Sequence, residues 1–246
     1  MSKRSVITLP HERLETTTLE RFDEFYFLSS YGNLYHQTDH NEILNANISQ
    51  LLAILRQVDV NSSFDSFVFL SSSSVDLKTQ SVYSRAKRAA EEIIMALAER
   101  YTLPMVIARP FSVTGVGEQS QHLIPTLIRS CFTGSPVDLA PEPTHDFIDV
   151  DDVVSGIITL AEAGAAGIFE LGSGKEYANI EVLELVERLS GRHANITLVD
   201  SLRPYDTTGW VSTGRSARDY GWRPAKSLEQ SIMEMITRFQ DENRAE

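Results

Sequence analysis

The sequence predicts an α/β protein, a mostly parallel sheet flanked by helices with a small C-terminal lobe. Three observations carry this. Short apolar runs alternate with helix-length amphipathic segments, the pattern of strands joined by crossover helices. Several runs ("FYFL", "FVFL" and "MVIARP") are apolar without alternation, as strands covered on both faces are. The length of 246 residues, with 42% hydrophobic and 23% charged residues, suits one α/β core with a modest addition.

In chain order, "RSVITL" (4–9) reads as a short β-branched strand stopped by Pro10. "EFYFLSS" (24–30) reads as a buried strand. Residues 41–57 place Ile43, Leu44, Ile48, Leu51, Leu52 and Leu55 on one helical stripe. "SFVFLSS" (66–72) is a strand closing in serines. A helix over 81–100 follows, with Ser81 as N-cap and Val82, Ala86, Ala89, Ala90, Ile93 and Leu97 facing inward. "PMVIARPF" is a strand broken at Pro110, and "HLIPTLIRSCF" a helix. "DFIDVDDVVSGIITLAEA" runs from strand into helix, and "GIFELGSG" is a strand and turn. "NIEVLELVERLSG" is a helix that stops at Gly191, "ITLVD" a strand, and "SLEQSIMEMITRFQDE" the closing helix. We expect a sheet domain over 1–165, with parts of 112–145 reaching into the C-terminal lobe. Residues 166–246 are expected to form mainly that lobe.

The formal charge of −12 argues against nucleic acid as the main partner, because binding phosphate backbones needs a basic footprint. It leaves room for a small anion held by a local arginine. Cys131 is the only cysteine, which excludes an intrachain disulfide and a cysteine-rich zinc site; no metal is expected. The N-terminal stretch lacks the apolar core of a secretory signal, and no run reaches the roughly 18 apolar residues of a membrane span. A cytoplasmic location is the expectation.

The chemistry concentrates in "SVYSRAK". Tyr83 and Lys87 are one helical turn apart on the same face. A phenol near pKa 10 is a poor acid or base at pH 7 unless a cation lowers it, and a lysine at that spacing supplies the cation. Upstream, a buried strand ends in "SSSSV". In open α/β sheets the ligand crevice lies beyond the carboxyl ends of the strands, where Ser71 to Ser74 and Tyr83 would meet. A serine there holds a substrate oxygen while Tyr83 moves a proton. The plainer reading is a capping serine run with a surface tyrosine and lysine.

"FVFLSSSSV", "YSRAK" and "VIARPFSVTGVGE" together resemble the extended short-chain dehydrogenases/reductases, the NAD(P)-dependent sugar-nucleotide epimerases, dehydratases and ketoreductases. "FDEFYFLSS", "HDFIDVDDVVSGI", "FELGSGKEYANIEVLELV" and "RPYDTTGW…ARDYGWRPAKSLEQSI" are similar to further segments of that family, in the same order, over about 22–240. The resemblance implies a shortened Rossmann-like fold. It also implies a catalytic set of Ser72, Tyr83, Lys87 and Asn47. Lys87, Ser29 and Pro110 would face NAD or NADP, and Ser73, Ser112 and Arg203 a nucleotide-activated sugar. Arg203 would contact the diphosphate, for which a bidentate guanidinium is suited. A homodimer through helices 41–57 and 81–100 is implied as well.

Departures narrow the chemistry. Ser73 and Ser74 stand where the family's 4,6-dehydratases carry an acidic pair, which argues against dehydration. Ser112 and His145 replace an asparagine and an arginine near the substrate, and Ser29–Ser30 and Phe27 depart at the cofactor edge. His122 either faces the cleft or is a packed residue beside an apolar helix. Gly172 and Gly174 read as a turn rather than a phosphate loop.

No glycine precedes Gly32, whereas the family opens with a glycine-rich turn that seats the pyrophosphate. Three explanations stand side by side: a short member that still uses NAD(P), a member that lost the dinucleotide and kept a non-redox sugar-nucleotide cleft, or a truncation of a longer enzyme.

Overall fold

The computed structural model describes residues 6–9, 22–34, 36–201, 203 and 206–244. The chain runs β1 (Glu24–Phe27), α1 (His40–Leu44), α2 (Gln50–Leu55), β2 (Ser66–Leu70), α3 (Val82–Tyr101), β3 (Met105–Pro110), β4 (Ser112–Thr114) and α4 (Leu123–Thr133). It continues through β5 (Pro136–Leu139), β6 (Thr144–Asp149), α5 (Val150–Glu162), β7 (Gly167–Leu171), β8 (Glu176–Ala178) and α6 (Asn179–Ser190). It ends with β9 (Asn195–Leu198), α7 (Arg215–Asp219) and α8 (Leu228–Arg244).

Among the described residues the main sheet is four-stranded and wholly parallel, in the order β1-β2-β3-β7. Its fourth strand comes from beyond residue 165, so the chain returns to this sheet after building part of the lobe. On one face α2 and α3 bury Leu51, Ile54, Ala90 and Ile94 against Phe67, Phe69 and Ile107. Phe25 stacks on Phe67 at 5.4 Å and Phe27 on Phe69 at 6.1 Å, cross-strand pairs that lock β1 to β2 in register. On the other face α5 packs Val153, Ile157 and Leu160 against Val68, Val106 and Trp222. A third core joins α4, α6 and α8, flanked by the small β5–β9 sheet.

Two expectations changed. Val6–Leu9, the described part of "RSVITL", lies in no strand; Val6 and Ile7 are 86% and 62% exposed, and a β-branched run without a face to bury does not form one. The helix over 41–57 contains a π segment at Asn45–Ser49 between α1 and α2. A π turn takes in one more residue than an α turn, which shifts the phase of the stripe. Ile43 therefore aligns with the buried Leu51, and Leu44 turns out to 47% exposure.

Phe67, fully buried between two faces, anchors the sheet. Phe67→Ala is expected to cost about 3–5 kcal/mol in urea unfolding, with the midpoint moving and the slope unchanged.

Candidate active site

The carboxyl ends of β1, β2 and β3 open onto a cavity of about 550 Å³. Its near wall includes Ser30, Ser71, Ser72, Ser74, Tyr83, Pro110 and Ser112. Its far wall includes Glu118, His122, His145, Phe147, Arg203 and Trp210.

The serine run leaves β2 in a single 3₁₀ turn (Ser73–Asp76). Ser72 caps it: its Oγ accepts the Ser74 amide at 3.2 Å and donates to Ser74 Oγ at 2.9 Å. Helix α3 then starts at Ser81, whose Oγ accepts the Ser84 amide at 3.2 Å, in agreement with the N-cap reading. That start puts Tyr83 in the first turn, where Ser30 and Ser72 hydrogen-bond its hydroxyl. Burial raises the phenol above its ordinary value, and those two hydroxyls only partly oppose the rise. The spacing argues for a phenol lowered by Lys87; desolvation prevails instead, and Tyr83 is protonated at neutral pH.

Lys87 lies directly behind. It has no exposed surface, and Nζ donates to Leu70 O at 2.8 Å and to Ser29 O at 3.4 Å. Nζ is 4.8 Å from the Phe69 ring centroid and 5.9 Å from that of Tyr83. Burial pulls its pKa down to about 7, against the opposing pull of Glu91 one turn on. Glu91 is paired in turn with Arg109 of β3, Nη2 to Oε2 at 2.6 Å and Nε to Oε1 at 2.9 Å.

Asn47 sits in the π segment with no exposed surface. Its Nδ2 donates to Tyr31 O and Ile43 O, both at 2.7 Å, and its buried Oδ1 has no hydrogen-bond partner among the described residues. Ser29 and Ser73 stand off the cavity: Ser29 Oγ donates to Gln50 Oε1 at 2.7 Å, and Ser73 is buried with an unpartnered Oγ. Their neighbours Ser30 and Ser74 line the wall instead.

On the far side Ser112 Oγ lies 3.2 Å from His145 Nδ1. Burial, reinforced by the Arg203 guanidinium, lowers the His145 pKa to about 4, so the ring is neutral at pH 7. His122 is a cavity residue and is paired: Nδ1 is 3.0 Å from Glu118 Oε1, and Thr114 Oγ1 donates to Glu118 Oε2 at 2.8 Å. The Gly172–Gly174 segment is a turn, as its sequence suggests. Asp146 accepts from Ser173 N at 2.8 Å, Ser173 Oγ at 2.6 Å, Gly174 N at 3.0 Å and Ser212 N at 3.0 Å. Sequence reasoning missed Glu91, Arg109, Glu118 and Asp146, because an isolated charge carries no signal of its partner. Among the described residues no cluster suited to a metal ion is found, and no helix is long and apolar enough to cross a membrane.

A model of the NAD dependent epimerase/dehydratase family matches residues 12–172. A protein of Bacillus subtilis (strain 168) named as the uncharacterized UDP-glucose epimerase YtcB is 25% identical over 224 residues, covering 85% of this chain and 69% of that protein. Of other curated relatives it matches, the chain spans about half the length, 46% and 52% in two cases. The structure of the Thermus thermophilus UDP-glucose 4-epimerase in complex with NAD superposes with a TM-score of 0.81 at 20% identity, over 94% of this chain and 82% of that one. The structure of RMD from Pseudomonas aeruginosa complexed with NADPH gives a TM-score of 0.81 at 19% identity, over 95% and 86%. The two structural likenesses establish a shared Rossmann-like fold.

Two outcomes follow from this geometry. Below pH 7 Lys87 is charged in both folded and unfolded chains. From about 7 to 10.5 the unfolded chain holds a proton that the folded one has released, so the Lys87 contribution to stability rises across that window. The difference between wild-type and Lys87→Met melting temperatures should change over that window and be flat below it. At Gly172 an added Cβ would lie 2.5 Å from Ser212 Cβ and 2.6 Å from Asp146 Oδ2. Gly172→Ala is expected to destabilise by about 1–3 kcal/mol in denaturant unfolding.

Proposed function

The chain belongs to the NAD dependent epimerase/dehydratase family, and from that premise we propose that it reduces or epimerises a nucleotide-activated sugar with NAD or NADP. The observation that carries this reading is the meeting of the Ser72 and Tyr83 hydroxyls on the cavity wall, with the Lys87 ammonium directly behind them.

The chain's own residues divide the work. Ser72 Oγ and Tyr83 OH converge on one point of the cavity, where a sugar carbonyl oxygen accepts both hydrogen bonds. As the carbonyl becomes an alcohol, Tyr83 OH delivers its proton to that oxygen; in the reverse direction the phenolate takes it back. A phenol raised by burial suits the first direction, because the resting group already carries the proton. Lys87, one turn away and held by two strand-end carbonyls, stabilises the phenolate that forms. Asn47 Oδ1, a buried acceptor without a partner, is the fourth polar group of the set.

These groups fit the reactive end of a nicotinamide dinucleotide, with Ser30 and Pro110 of the cavity wall as its contacts and Lys87 behind them, while Ser29 is turned to Gln50. When bound, that cofactor supplies or withdraws the hydride. The residues immediately upstream of β1 (10–21) lie outside the described ones. Across the cavity Arg203 is the diphosphate contact, beside Ser112 and the neutral His145. Serines at 73 and 74 leave elimination of water without the family's acidic pair. Pairing of two copies through α1–α2 and α3 belongs to the same reading, and light scattering on the eluted protein should give twice the mass of one chain.

A second reading is a sugar-nucleotide binder without redox activity, favoured by Lys87 and Ser29, two expected cofactor contacts, standing off the cavity wall. Titration with NAD(H) and NADP(H), followed by fluorescence or thermal shift, separates the two. Binding of one pair is expected; no binding of either at millimolar concentration overturns the redox reading. Tyr83→Phe should then reduce turnover by about 100-fold or more while leaving the melting temperature near wild type.

A further inference from the structure

The serine turn that presents Ser72 is gripped on both sides by charged groups, and apart from Lys87 these lie outside the proton-transfer set. Upstream, Lys87 Nζ donates to Leu70 O, and Ser71 Oγ donates to Glu91 Oε1 at 2.5 Å. Downstream, Asp76 Oδ1 accepts from Arg88 Nη2 at 2.7 Å, and the same nitrogen donates to Val75 O at 2.7 Å. One side chain joins the two grips. Arg109 donates to both oxygens of Glu91 and, through Nη1, to Asp76 Oδ2 at 2.7 Å.

Glu91 is wholly buried and Arg109 nearly so. A buried ion pair is a poor source of stability, since desolvation consumes most of the attraction. Its placement points to another use. The Ser72 hydroxyl is one rotatable bond from the backbone, so the turn's position fixes where the hydroxyl points. A displacement of about 1 Å in such a group can cost on the order of 100-fold in rate. Glu91 also lies one helical turn beyond Lys87. The titratable neighbours of that ammonium are Tyr83, whose ring centroid is 5.9 Å away, and Glu91, both on α3; Arg109 on β3 and Asp76 on the turn are joined to it through Glu91.

We propose that the Glu91–Arg109–Asp76 bridge is a positioning device for the reaction site: it holds the serine turn at both ends so that Ser72 stays beside Tyr83, and it places the Glu91 carboxylate where it sets the charge on Lys87. The proposal rests on the reading of Ser72, Tyr83 and Lys87 as the proton-transfer set. Arg109 is the element that makes one unit of two grips, because its guanidinium presents donors on three nitrogens.

Two variants of the full chain test it. Glu91→Gln keeps the side chain's shape and removes its charge. With no ligand present, Lys87 Nζ titration followed by NMR of labelled lysine should fall by about one pH unit from the wild-type value. Unfolding moves the same signal the opposite way, towards about 10.4. A titration within about 0.3 units of wild type overturns the role of Glu91. Asp76→Asn, at a half-exposed side chain, loosens the downstream grip without disturbing the core. It should lower kcat about 10-fold or more with KM for the nucleotide sugar little changed, and Asp76→Glu should recover part of the loss. An unchanged kcat, or a loss confined to KM, overturns the positioning of Ser72. Should the wild-type protein turn over no nucleotide sugar, the function proposed above fails. The lysine titration, together with amide exchange across 71–76 (faster in Asp76→Asn if the bridge holds the turn, unchanged if it does not), still decides the bridge.

Discussion

The site depends on holding a lysine ammonium inside the protein. Lys87 has no exposed surface, and water is replaced by two backbone carbonyls and two aromatic rings. Those carbonyls belong to the ends of neighbouring parallel strands, Leu70 of β2 and Ser29 just past β1. Only a sheet in this register, with α3 laid across it, brings both within reach of one Nζ. The Phe25–Phe67 and Phe27–Phe69 stacks that fix the register therefore also fix the lysine's hydrogen bonds. Burial imposes a penalty that the attraction of Glu91 does not fully offset, which leaves the lysine pKa at about 7.

Tyr83 and Lys87 are displaced in opposite directions by the same cause. Desolvation penalises the charged form of each, so the phenol rises and the ammonium falls. The ligand-free site thus holds a proton firmly on oxygen and loosely on nitrogen. Ionising the phenol becomes easier once the lysine is protonated, because the two opposite charges then stabilise each other. The carboxylate of Glu91 acts on the lysine in the same sense, favouring its charged form.

Much of this was legible in the sequence where the signal was local. The strand order of apolar runs, the Ser81 cap, the Gly191 stop and the Tyr83–Lys87 spacing all follow from short-range rules, and each is present. The α3 stripe was legible only in part. Ala86 and Ala90 are buried as the apolar pattern implies and Ile93 and Leu97 pack against the core, yet Val82 and Ala89 are exposed and the deepest burial also takes in Lys87, Glu91 and Ile94. A hydrophobic pattern assigns charged residues to solvent, so a helix that buries its chemistry is read with its face rotated. The π segment escaped for a related reason: it changes the period itself, and a stripe fitted at a constant 3.6 residues put Leu44 in the core.

The far wall shows a different limit. Asp146 is wholly buried and accepts four hydrogen bonds from two loops, 173–174 and 212. Those donors occupy both carboxylate oxygens, so the buried side chain is satisfied without a cation. The loops reach it because Gly172 has no side chain: the space a Cβ would take is already filled by Ser212, Asp146 and Phe111. Phe111 in turn packs against Trp210, and Trp210 against His145, all three on the cavity wall. The shape of the cavity's far wall is thus set by one missing methyl and one carboxylate, 26 residues apart in the chain. Neither position predicts the other locally; only the antiparallel return of β8 along β6 brings them together.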